Sequence, residues 1–154
     1  MDYVVVKWLH ILSSTFLFGT GIGSAWYMLF ANVSRDVRAI AVVAKYVVVA
    51  DWLFTATTAV LQPLTGFFMI HLAGYPLHSK WIMWSLVLYV IAGACWLPVV
   101  WLQIRMRDLA LDAARTDGEL PALYWRYFRI WVTLGVPAFL AFVLIFWLMV
   151  AKPM

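Results

Sequence analysis

The stretch VVVKWLHILSSTFLFG, residues 4–19, decides the fold, because it reads as the first half of a membrane-spanning helix that carries a histidine and two serines. Its apolar run extends to about residue 30. A bilayer core needs about 20 consecutive apolar helical residues, and comparable runs recur at 47–72, 81–104 and 130–151. Two thirds of the chain is hydrophobic (66%), only 12% is charged, and the mean hydropathy is +0.93. A soluble domain of 154 residues cannot hide that much apolar surface in one core. The sequence therefore predicts an all-α, four-transmembrane-helix bundle occupying residues 1–154 as a single integral membrane domain. The first run is too long for a cleavable leader and is read as a retained helix.

Charge sets the expected orientation. Arg35, Arg38, Lys45, Arg105, Arg107, Arg115, Arg126 and Arg129 fall at one end of the spans, and only Lys7, Lys80 and Lys152 at the other, eight against three. The positive-inside rule then places both termini on the extracytoplasmic side, with all three histidines in the outer half. The basic segments suit topology and anionic lipid headgroups, so lipid bilayer and no nucleic acid is the expected environment. The segment 33–46 is expected to form a short amphipathic surface helix capped by Ser34, and Asp51 to cap the second span, where a carboxylate suits the helix dipole, with a proton-relay role as its alternative.

Helical phase sorts the polar residues. His10, Ser13, Ser14, Gly21, Ser24 and Met28 share one face of the first span, with Leu17 as its apolar member. Asp51, Thr55, Thr58, Gln62, Thr65 and Met69 do so in the second span, Ser85, Tyr89, Ala92, Trp96 and Gln103 in the third, and Arg126, Arg129, Thr133 and Pro137 in the fourth. Polar groups facing hydrocarbon are costly, so all four stripes are expected to face the bundle interior. Pro63, Pro98 and Pro137 each free a backbone carbonyl that a neighbour must satisfy. Gly19 and Gly23 offer a small-residue contact within the bundle or across a homodimer.

Several chemistries are disfavoured. Cys95 is the only cysteine, so there is no intramolecular disulfide and no thiolate cluster. GTGIGS, residues 19–24, lacks both the spacing and the preceding strand of a dinucleotide fingerprint. No Ser-His-Asp set, paired interior carboxylates or phosphate loop is visible. The residue left over is His10, either a structural imidazole bonded to Ser14 or to a partner across the bundle, or a ligand for haem iron or copper. Antiparallel pairing brings Gln62 and Met69 to its depth. His71 is turned away from the inward stripe, and His78 lies in the loop.

Over nearly its whole length the chain resembles a bacterial family of predicted integral membrane proteins without assigned function, through KWLHILSSTFLFGTGIGSAWYM, ADWLF…LQPLTG, GACWLPVVWLQIRMRDLA and FWLMVAKP. More distantly, VKWLHILSSTFLFG resembles the opening helix of the HemJ-type protoporphyrinogen oxidases, with their Lys-x-x-His pattern and four spans around haem b, and the CopD-like copper-resistance membrane domains. That resemblance implies His10 as a haem or metal ligand, with Lys7 one turn before it. The HemJ-type third helix also carries a lysine and a histidine, and WIMWSLVLYVIAGACW, residues 81–96, has neither, so porphyrinogen oxidation is not implied. The reading is a haem-b-binding redox protein of the bacterial inner membrane, passing electrons to a quinone or oxidising a small hydrophobic substrate. The alternative is a non-catalytic membrane module, either a packing subunit or a copper-handling protein using His10 and Met69.

Overall fold

A computed structural model describes residues 2–153, and every regular element among them is helical. The order is α1 (Tyr3–Ser34), α2 (Val37–Ala50), a π-helical turn (Asp51–Thr55), α3 (Ala56–Ala73), α4 (Lys80–Arg115) and α5 (Ala122–Ala151). The chain runs from α2 through the π turn into α3 without a break, so four helices are long and apolar enough to cross a membrane, as the sequence predicts. At 1.5 Å per residue, the 36 residues of α4 reach about 54 Å, well beyond a hydrocarbon core of about 30 Å. The excess lies at the end where the arginines gather.

The start of α1, the end of α5 and the 74–79 connection lie together: Tyr3, Tyr75 and Lys152 line one cavity, and Lys152 Nζ is 3.4 Å from the Tyr75 hydroxyl and sits over the rings of Tyr75 and Trp81. The two basic connections meet at the opposite end, where Arg38 pairs with Asp117 at 2.7 Å. Gly74, with φ +67°, ends α3 in the left-handed conformation that a residue without Cβ adopts freely.

The segment expected to lie on the surface is instead the first part of the second span. Ile40, Ala41, Ala44, Val47 and Val48 recur at helical spacing and are all buried, largely against α4. Their apolar stripe has a packing partner, which a surface helix would lack. Nor does Ser34 cap it. Ser34 closes α1, and the Asp36 carboxylate accepts from the Arg38 and Ala39 amides. Asp51 lies inside a continuous helix rather than at its start, so it has no free N-terminus to cap.

The bundle is two hairpins, α1 against α3 and α4 against α5, tied together by α2 at the basic end. There Met28, Ile40, Val47, Leu102, Met106 and Tyr124 form the densest core. Inside it the Tyr124 hydroxyl donates to Asn32 Oδ1 at 2.8 Å, and Asn32 Nδ2 donates to the Met28 carbonyl at 2.8 Å. Toward the chain termini the hairpin backbones part, and long side chains bridge the gap.

The stripes of the first three spans face inward: Ser13, Leu17 and Met28, Asp51, Thr55 and Thr58, and Ser85, Ala92 and Gln103 are all buried. The fourth does not. Arg126, Arg129, Thr133 and Pro137 are exposed, while Tyr124, Trp131 and Ala141 face the core. Arginines at the basic end reach the headgroup layer, and Thr133 donates to its own Arg129 carbonyl, so neither residue needs the interior. The Gly19 and Gly23 positions meet open space rather than a neighbouring helix of the same chain.

Pro63 removes the amide that would bond the Ala59 carbonyl, and the Tyr89 hydroxyl of α4 donates to that carbonyl instead. One side chain thus repairs a helix and ties the hairpins where backbone contact is sparse. Tyr89→Phe is expected to lower unfolding free energy in mixed micelles by about 1 kcal/mol. Thr57→Val, which removes a hydroxyl bonded only within its own helix, is expected to change it far less.

Candidate functional site

The site is built on the seam between α1 and α3. The His10 imidazole places Nδ1 2.8 Å from Thr65 Oγ1. Thr65 has a single hydroxyl proton, and its Oγ1 lies 2.7 Å from the Leu61 carbonyl one turn back, the usual back-bond of a threonine within a helix. With that proton donated to Leu61, Oγ1 accepts from Nδ1–H; Nε2 then carries the lone pair and has no hydrogen-bond partner among the described residues. A ring nitrogen anchored on one side and free on the other is how proteins present a histidine to a metal. The bonding partner is thus across the bundle and not Ser14, whose hydroxyl donates to the Ile11 carbonyl.

Gln62 braces the same seam. Its Nε2 donates to the His10 carbonyl at 2.8 Å and to Ser13 Oγ at 2.5 Å. Gln62, expected at the depth of His10, thus ties α1 to α3. Gly66 completes the fit: a Cβ there would come within 3.3 Å of His10 Cε1, so a residue without a side chain lets the imidazole lie close to α3.

His10 opens into a cavity of about 380 Å³ between the hairpins, within the size range of cofactor sites. Its walls are apolar, with Leu17, Leu86, Phe142 and Phe146 among them. Met69, expected at this depth, lines it, and so does Met149 of α5, which helical phase missed because no polar residue flags that face. Lys7 and Lys152 stand where the chain termini meet the cavity. Lys80, His71 and His78 are exposed and lie outside its wall. Among the described residues no three His, Cys, Asp or Glu side chains converge as a metal cluster. The side chains that line the cavity with His10 include thioethers, a hydroxyl and lysines.

A second cavity, of about 540 Å³, lies nearer the basic end. Asp51, Thr55, Gln103, Trp96 and Trp131 belong to its lining, and Leu17 and Phe142 are shared with the His10 cavity. Asp51 is only 4% exposed, and its Oδ1 accepts from the Thr55 hydroxyl at 2.9 Å. The π turn carries both residues: the Ala56 amide bonds the Asp51 carbonyl five residues back. Such wide turns inside α-helices concentrate at functional sites.

The brace is measurable. Gln62→Leu removes both cross-seam bonds and is expected to destabilise the protein by about 1–2 kcal/mol in mixed-micelle unfolding. Gly66→Val, which crowds His10 Cε1, is expected to displace the imidazole from Thr65, seen as a shifted histidine ring resonance in NMR.

Searches of curated proteins and of solved structures return no match. Residues 4–153 match the family described as "Predicted integral membrane protein (DUF2269)". That match covers nearly the whole chain and agrees with the four apolar helices, and the protein belongs to this family of predicted integral membrane proteins.

Proposed function

We propose that the protein is a membrane redox protein that binds haem b in the His10 cavity and exchanges electrons within the bilayer of the bacterial cytoplasmic membrane, its basic end inward. The observation that carries this reading is the His10 geometry. Nδ1 is anchored by Thr65, Nε2 has no partner among the described residues, and His10 lines an apolar cavity of cofactor size with two lysines near the chain termini. These residues fit a haem by the chemistry of the donors: an imidazole for the iron, apolar walls for the macrocycle, and cations for the propionates.

Bound haem supplies one-electron chemistry at iron, its potential tuned by axial ligand and surroundings. His10 would hold the iron, and Thr65 would set the imidazole's orientation and basicity through Nδ1–H. Lys7 and Lys152 would meet the propionates, while Met69 and Met149 offer thioethers on other parts of the wall. Leu17, Phe142 and Phe146 would keep water from the bound group. A bilayer-soluble quinone is the natural electron partner, and oxidation of another small hydrophobic substrate is the variant of the same reading.

A second reading has its own observation: His10, Met69 and Met149 line one cavity, and imidazole with thioethers suits cuprous copper. The apolar breadth of the cavity favours the macrocycle.

Protein purified after expression with ample haem is expected to be red, with a Soret band that His10→Ala abolishes or shifts while the melting profile persists. Thr65→Val should keep the band and raise the midpoint potential, because a histidine that loses its Nδ1–H acceptor is the poorer donor to ferric iron. A colourless preparation overturns the haem reading. Copper bound stoichiometrically in that preparation, and lost in His10→Ala, would establish the second reading.

A further inference from the structure

The Asp51 cavity has a feature that the haem reading leaves unused. Three buried side-chain atoms have no hydrogen-bond partner among the described residues, Trp96 Nε1, Trp131 Nε1 and Gln103 Oε1, and all three residues line this one cavity. Gln103 is 4% exposed and Trp131 7%. Unsatisfied polar groups inside hydrocarbon cost free energy, and three around one void are unlike random loss. Beside them lies Asp51, approached by the Gln103 side chain and bonded by Thr55.

The chemistry of these three atoms restricts what can bind there. Indole N–H groups only donate and Gln103 Oε1 only accepts, so the occupant must both accept and donate. A carboxylate or phosphate head would bring a second acid beside Asp51 and no proton for Gln103. A lipophilic cation would leave both indole donors unanswered. A neutral phenolic hydroxyl answers both needs. The rest of the wall is apolar and ring-rich, with Phe18, Trp26, Phe139 and Phe142, and suits a flat ring with a lipid tail. The rim residues Ile22 and Trp26 on α1 and Val136 and Phe139 on α5 are exposed, so the cavity opens sideways toward the lipid.

We propose that this cavity binds the head group of a quinol, with its hydroxyl on Gln103, Trp96 and Trp131 beside Asp51. Leu17 and Phe142 form part of both cavities, so a quinol here lies one side-chain layer from the His10 site. Its role as redox partner rests on the haem reading; its binding does not.

The test is anaerobic calorimetric titration of the detergent-solubilised protein with duroquinol and with duroquinone, subtracting a micelle blank. Saturable 1:1 binding is expected, with the quinol about tenfold tighter than the quinone, because only the quinol can donate to Gln103. Gln103→Leu should erase that preference. Gly135→Leu provides a blocking variant that keeps the fold: Gly135 lines the cavity, and nothing lies within 4 Å of where its Cβ would be. It should abolish binding without lowering the melting temperature.

Non-saturable partitioning, equal affinity for both redox forms, or unchanged binding in Gly135→Leu each overturns the proposal. Tight binding of tetraphenylphosphonium lost in Asp51→Asn would overturn it in favour of a cation site. A colourless protein that still binds duroquinol defeats the haem reading alone, and a red protein indifferent to it defeats this one alone.

Discussion

Inside a bilayer no polar group can be left to water, and this one constraint organises the protein. Serine and threonine hydroxyls along the spans return to carbonyls three or four residues back, as at Ser14, Thr57, Thr58 and Thr133. The carbonyl that Pro63 frees is taken up by Tyr89 from the other hairpin. His10 and Gln62 satisfy each other's helices. Since lipid is as apolar as leucine, it is these bonds and close packing, more than apolar burial, that bring the helices together.

The packing that results is uneven. Where the helices outrun the bilayer, α2 and the far end of α4 interdigitate through small residues such as Ala41, Ala44, Ala110 and Ala113, which let the backbones approach. In the membrane half the facing residues are aromatic: Phe18 lies near Phe139, Phe142 and Phe146, with centroids 5.0–6.4 Å apart. Rings hold the hairpins apart and leave the two cavities. A rigid basic end with an open bundle beyond it is a frame that can admit a ligand without unfolding.

Much of this was legible in the sequence, for reasons tied to particular residues. Span number follows from hydropathy, and the inward stripes of α1, α3 and α4 from helical phase. The placing of His10 beside residues 62–69 follows from antiparallel neighbours at equal depth. The failures share a cause: partners distant in sequence decide them. Val37–Ala50 looks like a surface helix until α4 covers it. Asp51 looks like a cap until α2 runs into it, and helical phase could not foresee the π turn that carries it together with Thr55. On α5 the polar residues mark the outer face, because arginine at a helix end can reach water while the buried face is given to Tyr124 and Trp131. Met149 carried no signal at all.

The scarcity of ligating residues bears on what His10 can hold. A bare divalent ion needs several protein donors at once, and among the described residues no three His, Cys, Asp or Glu side chains converge. One imidazole with two thioethers and an apolar wall is poor at that task. A macrocycle that brings its own four nitrogen donors changes the requirement: the protein then needs one axial base, a fixed tautomer, a dry slot and cations for the acid groups. His10 with Thr65, the Leu17–Phe142–Phe146 wall, and Lys7 with Lys152 match that shorter set. On the proposed haem reading, the same economy accounts for how little recognisable chemistry stands in the sequence. When a cofactor carries the reaction, the chain is left to orient, shield and balance charge, and residues with those duties look like ordinary membrane helix.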